Sequence, residues 1–146
     1  MVQPRADGRE AARAATIAMD DGGVEPAEID YVNAHASSTP IGDVAEARAL
    51  TIALGERAAT VPVSGTKALY GHPLGASGAI EAAICALAVR DGWAPPTVNL
   101  IAPEPELDEL LPALLREGRT GTYRRVLSTS FGFGGLNAAL VFGGVD

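Results

Sequence analysis

Residues 64–78, SGTKALYGHPLGASG, carry the reading of this chain. A short β-branched run, Thr60 to Val63, leads in, and an alanine-rich run from Gly75 to Arg90 leads out. Strand, glycine loop and helix in that order present side chains at the mouth of a sheet. Glycines let the backbone take positive φ and come close to a ligand. Inside the loop, Lys67 and His72 stand five residues apart. An imidazole there can donate a hydrogen bond to a reacting oxygen. The plainer alternative is a tight turn whose His72 caps local backbone.

Downstream, the predicted helix from Gly75 to Asp91 is apolar almost all round, the pattern of a helix buried on most faces. Its small residues Ala76, Gly78, Ala79, Ala82, Ala83 and Ala86 allow close backbone approach. A carboxylate inside such a helix, Glu81, needs a partner, and Lys67 is the nearest cation in the logic of the sequence. The other reading of Glu81 is a thin solvent-facing stripe. Upstream, Ile29 to Ala34 reads as a strand that runs into His35-Ala-Ser-Ser-Thr-Pro40. A histidine at a strand end followed by three hydroxyl residues is a place where α/β folds keep their chemistry, or a turn with local Ser/Thr bonding.

The spacing of Asp43 and Glu46 predicts a capping box at the start of a helix reaching Leu54, with Val44, Ala47, Leu50 and Leu54 on one face and Gly55 as its stop. An earlier helix spans Arg9–Asp20, with Ala11, Ala14, Ala15, Ala18 and Ile17 as its apolar residues and Gly22-Gly23 as its end. Pro26 and Glu28 suit a short helical turn before the strand. Nothing ahead of the first helix reads as a strand. The prolines between Asp91 and Pro112 predict an irregular surface segment, and Glu117 to Tyr123 a loop. Arg124–Ser130 and Asn137–Phe142 predict an antiparallel hairpin around the glycine turn Phe131–Leu136, where Phe131 and Phe133 could simply pack at the tip.

A chain of 146 residues with 47% hydrophobic and 5% aromatic residues fits one α/β domain with small-residue packing. Its net charge of −7 argues against nucleic acid and against anionic membrane surfaces as partners. No secretory signal is legible, and no stretch reaches the roughly 18 apolar residues that mark a spanning helix; Leu74 to Val89 holds Glu81 and two glycines. A cytoplasmic protein with no membrane span is expected. The single cysteine, Cys85, excludes an internal disulfide and a structural zinc site, and mid-helix in an apolar run its thiol is expected to be inert. His35, His72 and Cys85 lack metal-ligand spacing, so no metal is expected.

Three stretches in fixed order, NAHASSTPIGDVAE (33–46), SGTKALYGHPLGASGAIEA (64–82) and SFGFGGLNAALVF (130–142), resemble the C-terminal half of a β-ketoacyl-[acyl carrier protein] synthase of the elongating Cys-His-His type. The resemblance covers essentially the whole chain. It implies a thiolase-like fold, in which each of two similar α/β halves carries a five-stranded mixed sheet packed by helices. Residues 1–146 would form the C-terminal half as one domain, with the first strand missing. It implies His35 and His72 as the catalytic histidines and Lys67 as the motif lysine. Asp43, Glu46 and Glu81 would form a buried charge network with that lysine. Phe133 would gate the acyl pocket, and the hydroxyls of Ser37 and Thr39 would lie on the substrate side. Two departures stand out: Ala36-Ser37-Ser38 replaces the commoner Gly-Thr-Ser or Gly-Thr-Gly, and Leu136 replaces a threonine.

The family's reaction is a decarboxylative Claisen condensation of malonyl-[acyl carrier protein] with an acyl thioester, in fatty-acid or polyketide synthesis. Substrates ride on the phosphopantetheine of an acyl carrier protein, so no separate cofactor is implied. The nucleophilic cysteine belongs to the family's first half, and Cys85 does not match it. The resemblance therefore implies as partners an acyl carrier protein, an N-terminal half or homologous subunit, and a dimeric full-length assembly. The chain alone is expected to lack condensing activity. The alternatives are a non-catalytic remnant and a chain-length-factor-like interaction subunit. A thiolase proper is disfavoured, because the loop from Phe131 to Asn137 holds no cysteine.

Overall fold

The computed structural model describes residues 5–144. Its first helix, α1 (Arg9–Asp21), is followed by a 3-10 turn at Pro26–Glu28 and strand β1 (Tyr31–Asn33). Helix α2 (Pro40–Leu54) and a 3-10 segment lead to strand β2 (Val63–Ser64). A single helical turn, α3 (Lys67–Tyr70), precedes the long helix α4 (Ser77–Asp91). Strand β3 (Trp93–Ala94), helix α5 (Pro105–Leu110) and strand β4 (Arg119–Thr120) come before the hairpin β5 (Arg125–Gly132) and β6 (Leu136–Gly143). The main sheet has the order β2-β1-β5-β6; β1 runs parallel to β2 and β5, and β6 closes the edge antiparallel.

The sheet is covered on both faces, and its alternation decides which residue goes where. Val32, Val63 and Leu127 face a core shared with Ala12, Ala15 and Met19 of α1 and Ala47, Leu50 and Leu54 of α2. Tyr31 and Val126 face the other way, onto Cys85 and Ala88 of α4. The two helices on the first face approach closely: a Cβ on Gly8, whose φ is 68°, would sit 2.6 Å from the Ala49 nitrogen. Residues 5–144 thus form an α/β layer structure around a mixed sheet, as the resemblance implies.

The differences from expectation have local causes. In α1 the buried stripe is Ala12, Ala15 and Met19, and Ile17 is 54% exposed. So many alanines leave the phase of the helix ambiguous, and the Met19 side chain settles it. The capping box at Asp43 and Glu46 does not form. α2 starts earlier, at Pro40, whose fixed φ suits the first helical position, and Glu46 points inward, 4% exposed. A reciprocal box forms instead at Glu25 and Glu28, where the Glu25 N–H donates to Glu28 Oε2 at 2.8 Å. The proline-rich segment holds α5, because Pro105 also takes a first-turn position. β3 pairs antiparallel with β4, which lies in the stretch read as a loop. The hairpin forms in the expected place, with Gly132 opposite Leu136, so Phe131 belongs to the strand and the turn shrinks to residues 133–135. The expected absence of a strand ahead of α1 falls partly on residues 1–4, outside the described residues.

Candidate active site

Parallel strands β1, β2 and β5 end on one side of the sheet, and the loops that follow them build the site. His35 leaves the sheet two residues after β1. Its N–H donates to Glu46 Oε1 at 2.8 Å and lies 3.2 Å from Thr129 Oγ1, and the next N–H, of Ala36, donates to Glu46 Oε2 at 2.8 Å. The Thr129 hydroxyl in turn donates to Glu46 Oε1 at 2.6 Å. Burial pushes the Glu46 carboxyl up, and the Thr129 hydroxyl and the two N–H groups pull against it. The loop turns on two left-handed residues, Ala36 at φ 37° and Ser38 at φ 61°. It is pressed against the β2 loop, where a Cβ on Gly65 would fall 2.4 Å from that of Ala36.

Lys67 is 5% exposed and Glu81 is fully buried. The Lys67 ammonium pairs with Glu81 Oε1 and donates to the carbonyl of His35. The expected pair therefore forms, and the lysine acts on the His35 loop. Burial pushes the Glu81 carboxyl up, and the Lys67 contact is the main counterweight. Glu46 carries no contact to Lys67; its oxygens serve the His35 loop instead. Asp43 lies at the same end of α2, its carboxyl raised by burial, and its Oδ1 has no hydrogen-bond partner among the described residues.

His72 Nδ1 lies 3.2 Å from the Leu74 N–H, which donates to it, and 3.1 Å from the Ser77 hydroxyl. A backbone donor at Nδ1 leaves the proton of a neutral ring on Nε2, so His72 presents an N–H. The two rings meet: the His35 and His72 centroids are 5.6 Å apart at an interplanar angle of 83°. Phe131 packs on His35 at 5.6 Å and 62°. The His35 pKa is lowered to about 4, by burial first, then by Lys67 and His72. The ring is therefore neutral at physiological pH.

Other candidates fall at the rim. Phe133 is 74% exposed at the hairpin tip, and Ser37 Oγ lies 3.4 Å from Thr39 Oγ1 on the loop after His35. Cys85 is buried under the sheet with its thiol pushed up to about 12 by desolvation, so it is no nucleophile. Among the described residues no group of histidine, cysteine and carboxylate side chains could hold a metal, and no helix is long and apolar enough to cross a membrane. Three contributors escaped the sequence reading: Thr129, Ser77 and the role of Phe131 against His35. Thr129 left one weak signal, its place in a Ser-Thr-Ser run near a strand end.

Comparison with known proteins places the chain in a family and a fold. Residues 1–101 match the family model described as "Beta-ketoacyl synthase, C-terminal domain". The chain is 43% identical over 139 residues to 3-oxoacyl-[acyl-carrier-protein] synthase 2 of Staphylococcus aureus, covering 95% of this chain and 33% of that protein. It is 45% identical to the protein of the same name from Mycobacterium bovis, covering 98% and 33%. The chain thus spans about a third of the length of these curated relatives. Among solved structures, a β-ketoacyl synthase from Burkholderia phymatum superposes with a TM-score of 0.89 at 38% identity, over all of this chain and 34% of its own. A ketosynthase assembly of a type II polyketide synthase, solved with its acyl-carrier protein and a hexaketide, superposes with a TM-score of 0.92 at 32% identity, over all of this chain and 35% of its own. With the thiolase-like layering and the paired histidine loops in view, the chain belongs to the β-ketoacyl synthase C-terminal domain family.

Proposed function

We propose that the chain supplies the decarboxylating half of a ketosynthase site and acts on malonyl-[acyl carrier protein]. The observation that carries this is the meeting of two imidazoles from the loops after two parallel strands, 5.6 Å apart and edge to face, with the His35 ring held neutral by burial. When the malonyl carboxylate leaves as CO2, the electron pair of the broken C–C bond flows onto the thioester as an enolate. Charge develops on one oxygen, and two imidazole N–H groups aimed at that oxygen stabilise it as an oxyanion hole does, each donor worth roughly 3–4 kcal/mol. A neutral His35 suits this role better than an imidazolium ion, because a full positive charge would also hold the departing carboxylate. The enolate carbon then attacks an acyl thioester and expels the cysteine thiolate that carried it. That cysteine would come from an N-terminal half, since Cys85 is buried with a raised pKa. Phe133, Ser37 and Thr39 would meet the substrate at the rim. The acyl-carrier protein in a similar solved assembly supports a carrier-bound substrate.

The test mixes the purified chain with a separately produced N-terminal ketosynthase half that carries the nucleophile. Association with condensing turnover, lost on His35→Ala and on His72→Ala, supports the reading. Association without turnover points to a chain-length-factor-like subunit. Neither association nor turnover makes the chain a remnant. Turnover by the chain alone would refute the division of labour.

A further inference from the structure

We infer that Thr129 is a positioning residue for His35, closing a clamp in which buried side chains hold both polar main-chain groups of the histidine. The N–H of His35 is held by Glu46 Oε1 and Thr129 Oγ1 at 2.8 and 3.2 Å. Its C=O is held by the Lys67 ammonium. The next N–H, of Ala36, is held by the other oxygen of Glu46. Thr129 completes the triangle by donating to Glu46 Oε1 at 2.6 Å. It is 1% exposed and Glu46 is 4% exposed, so water does not stand in for either.

The placement follows from the sheet. The β1–β5 ladder ends where Asn33 faces Ser128. The next residue on β5 is Thr129, and there β1 has begun to leave the sheet toward His35. The threonine side chain takes over as the main-chain ladder stops. This chain has particular need of such a hold. Ala36 occupies φ 37°, a conformation that glycine tolerates and alanine resists. Backbone in that region persists only when its surroundings over-determine it. Without the clamp, the peptide after His35 is free to relax, and the ring loses its aim at His72.

The clamp's consequence for turnover rests on the proposed ketosynthase function; the clamp itself does not, and the experiment separates the two. Hydrogen–deuterium exchange with residue-level readout is measured on the purified chain for wild type, Thr129→Val and Thr129→Ser. Valine keeps the shape and loses the hydroxyl; serine keeps the hydroxyl. In Thr129→Val, the His35 and Ala36 amides should exchange about tenfold faster or more, while Val126 and Leu127 keep their protection. Thr129→Ser should stay within about threefold of wild type at both amides. Unchanged protection in the valine variant overturns the proposal. So does uniform acceleration along β5 and β6, which would mark a general role in packing. In the complemented enzyme, Thr129→Val should lower kcat with KM unchanged, and serine should restore it. If no variant turns over, the ketosynthase reading fails while the exchange data still judge the clamp.

Discussion

Replacing Lys67 by methionine strands Glu81, which is fully buried and whose ionic partner among the described residues is that ammonium. The stranded carboxylate can keep its charge in a dry site or take up a proton. The proton is the cheaper escape, and its cost is set by the solvent. Against an unfolded-state value of about 4.3, protonating a glutamate at pH 7 costs roughly 3.7 kcal/mol, at about 1.36 kcal/mol per pH unit. That falls in the range of about 3–5 kcal/mol known for breaking one side of a buried pair. It is also a large part of the roughly 5–15 kcal/mol that holds a domain folded. The sign of the pH dependence follows. In Lys67→Met the folded chain binds a proton that the unfolded chain releases at pH 7, so the variant gains stability as pH falls toward 4.3. At pH 5 the deficit should shrink to about 1 kcal/mol. Urea denaturation at one fixed protein concentration reads both values. With a slope near 2 kcal/mol/M, the midpoint should drop by up to about 1.8 M at pH 7 and up to about 0.5 M at pH 5, less the part that the raised Glu81 carboxyl already costs the wild type. The double variant Lys67→Met/Glu81→Leu removes both charges and should recover most of the loss. A deficit equal at the two pH values, or a double variant no more stable than the single, refutes the buried-pair account.

The His35 ring should titrate near pH 4 by NMR, and the stability that its neutral form contributes should persist above about pH 6.5 and fade as pH drops through about 4; a midpoint above 6 would contradict its burial beside Lys67. Cys85 should resist iodoacetamide at pH 8 until denaturant is added, and rapid labelling of the native chain would refute its burial. Helix α4 turns Ile80 and Leu87 outward at 37% and 45% exposed, and Leu140 of β6 is 54% exposed. Apolar area left in water costs about 25 cal/mol per Å². The chain alone should therefore self-associate in sedimentation velocity, and Leu87→Lys should raise the monomer fraction; a monodisperse wild-type monomer would show that this face needs no cover.

The elements that could be read from residue order were those with strong local chemistry. The glycine loop after a β-branched run, the hairpin around residues 131–136 and the buried helix with one carboxylate all follow from near-neighbour sterics and from the cost of an unpaired charge. The pairing of Lys67 with Glu81 was legible for the same reason, since a carboxylate in so apolar a helix has few places to go. The three motifs also named the family, and they singled out the two histidines whose rings the fold brings together. Local order is a poorer guide where several registers serve equally well. The alanines of α1 fit more than one face, and Asp43 with Glu46 fits a capping box until Pro40 starts the helix sooner. What residue order could not carry was the set of contacts made across the sheet. Thr129 meets Glu46 across 83 residues and His35 across 94, because β5 lies beside β1. Phe131 finds His35 only because β5 lies beside β1, 96 positions along the chain. Such partners are chosen by strand pairing and by the order in which strands leave the sheet, so they exist only after the chain has closed on itself.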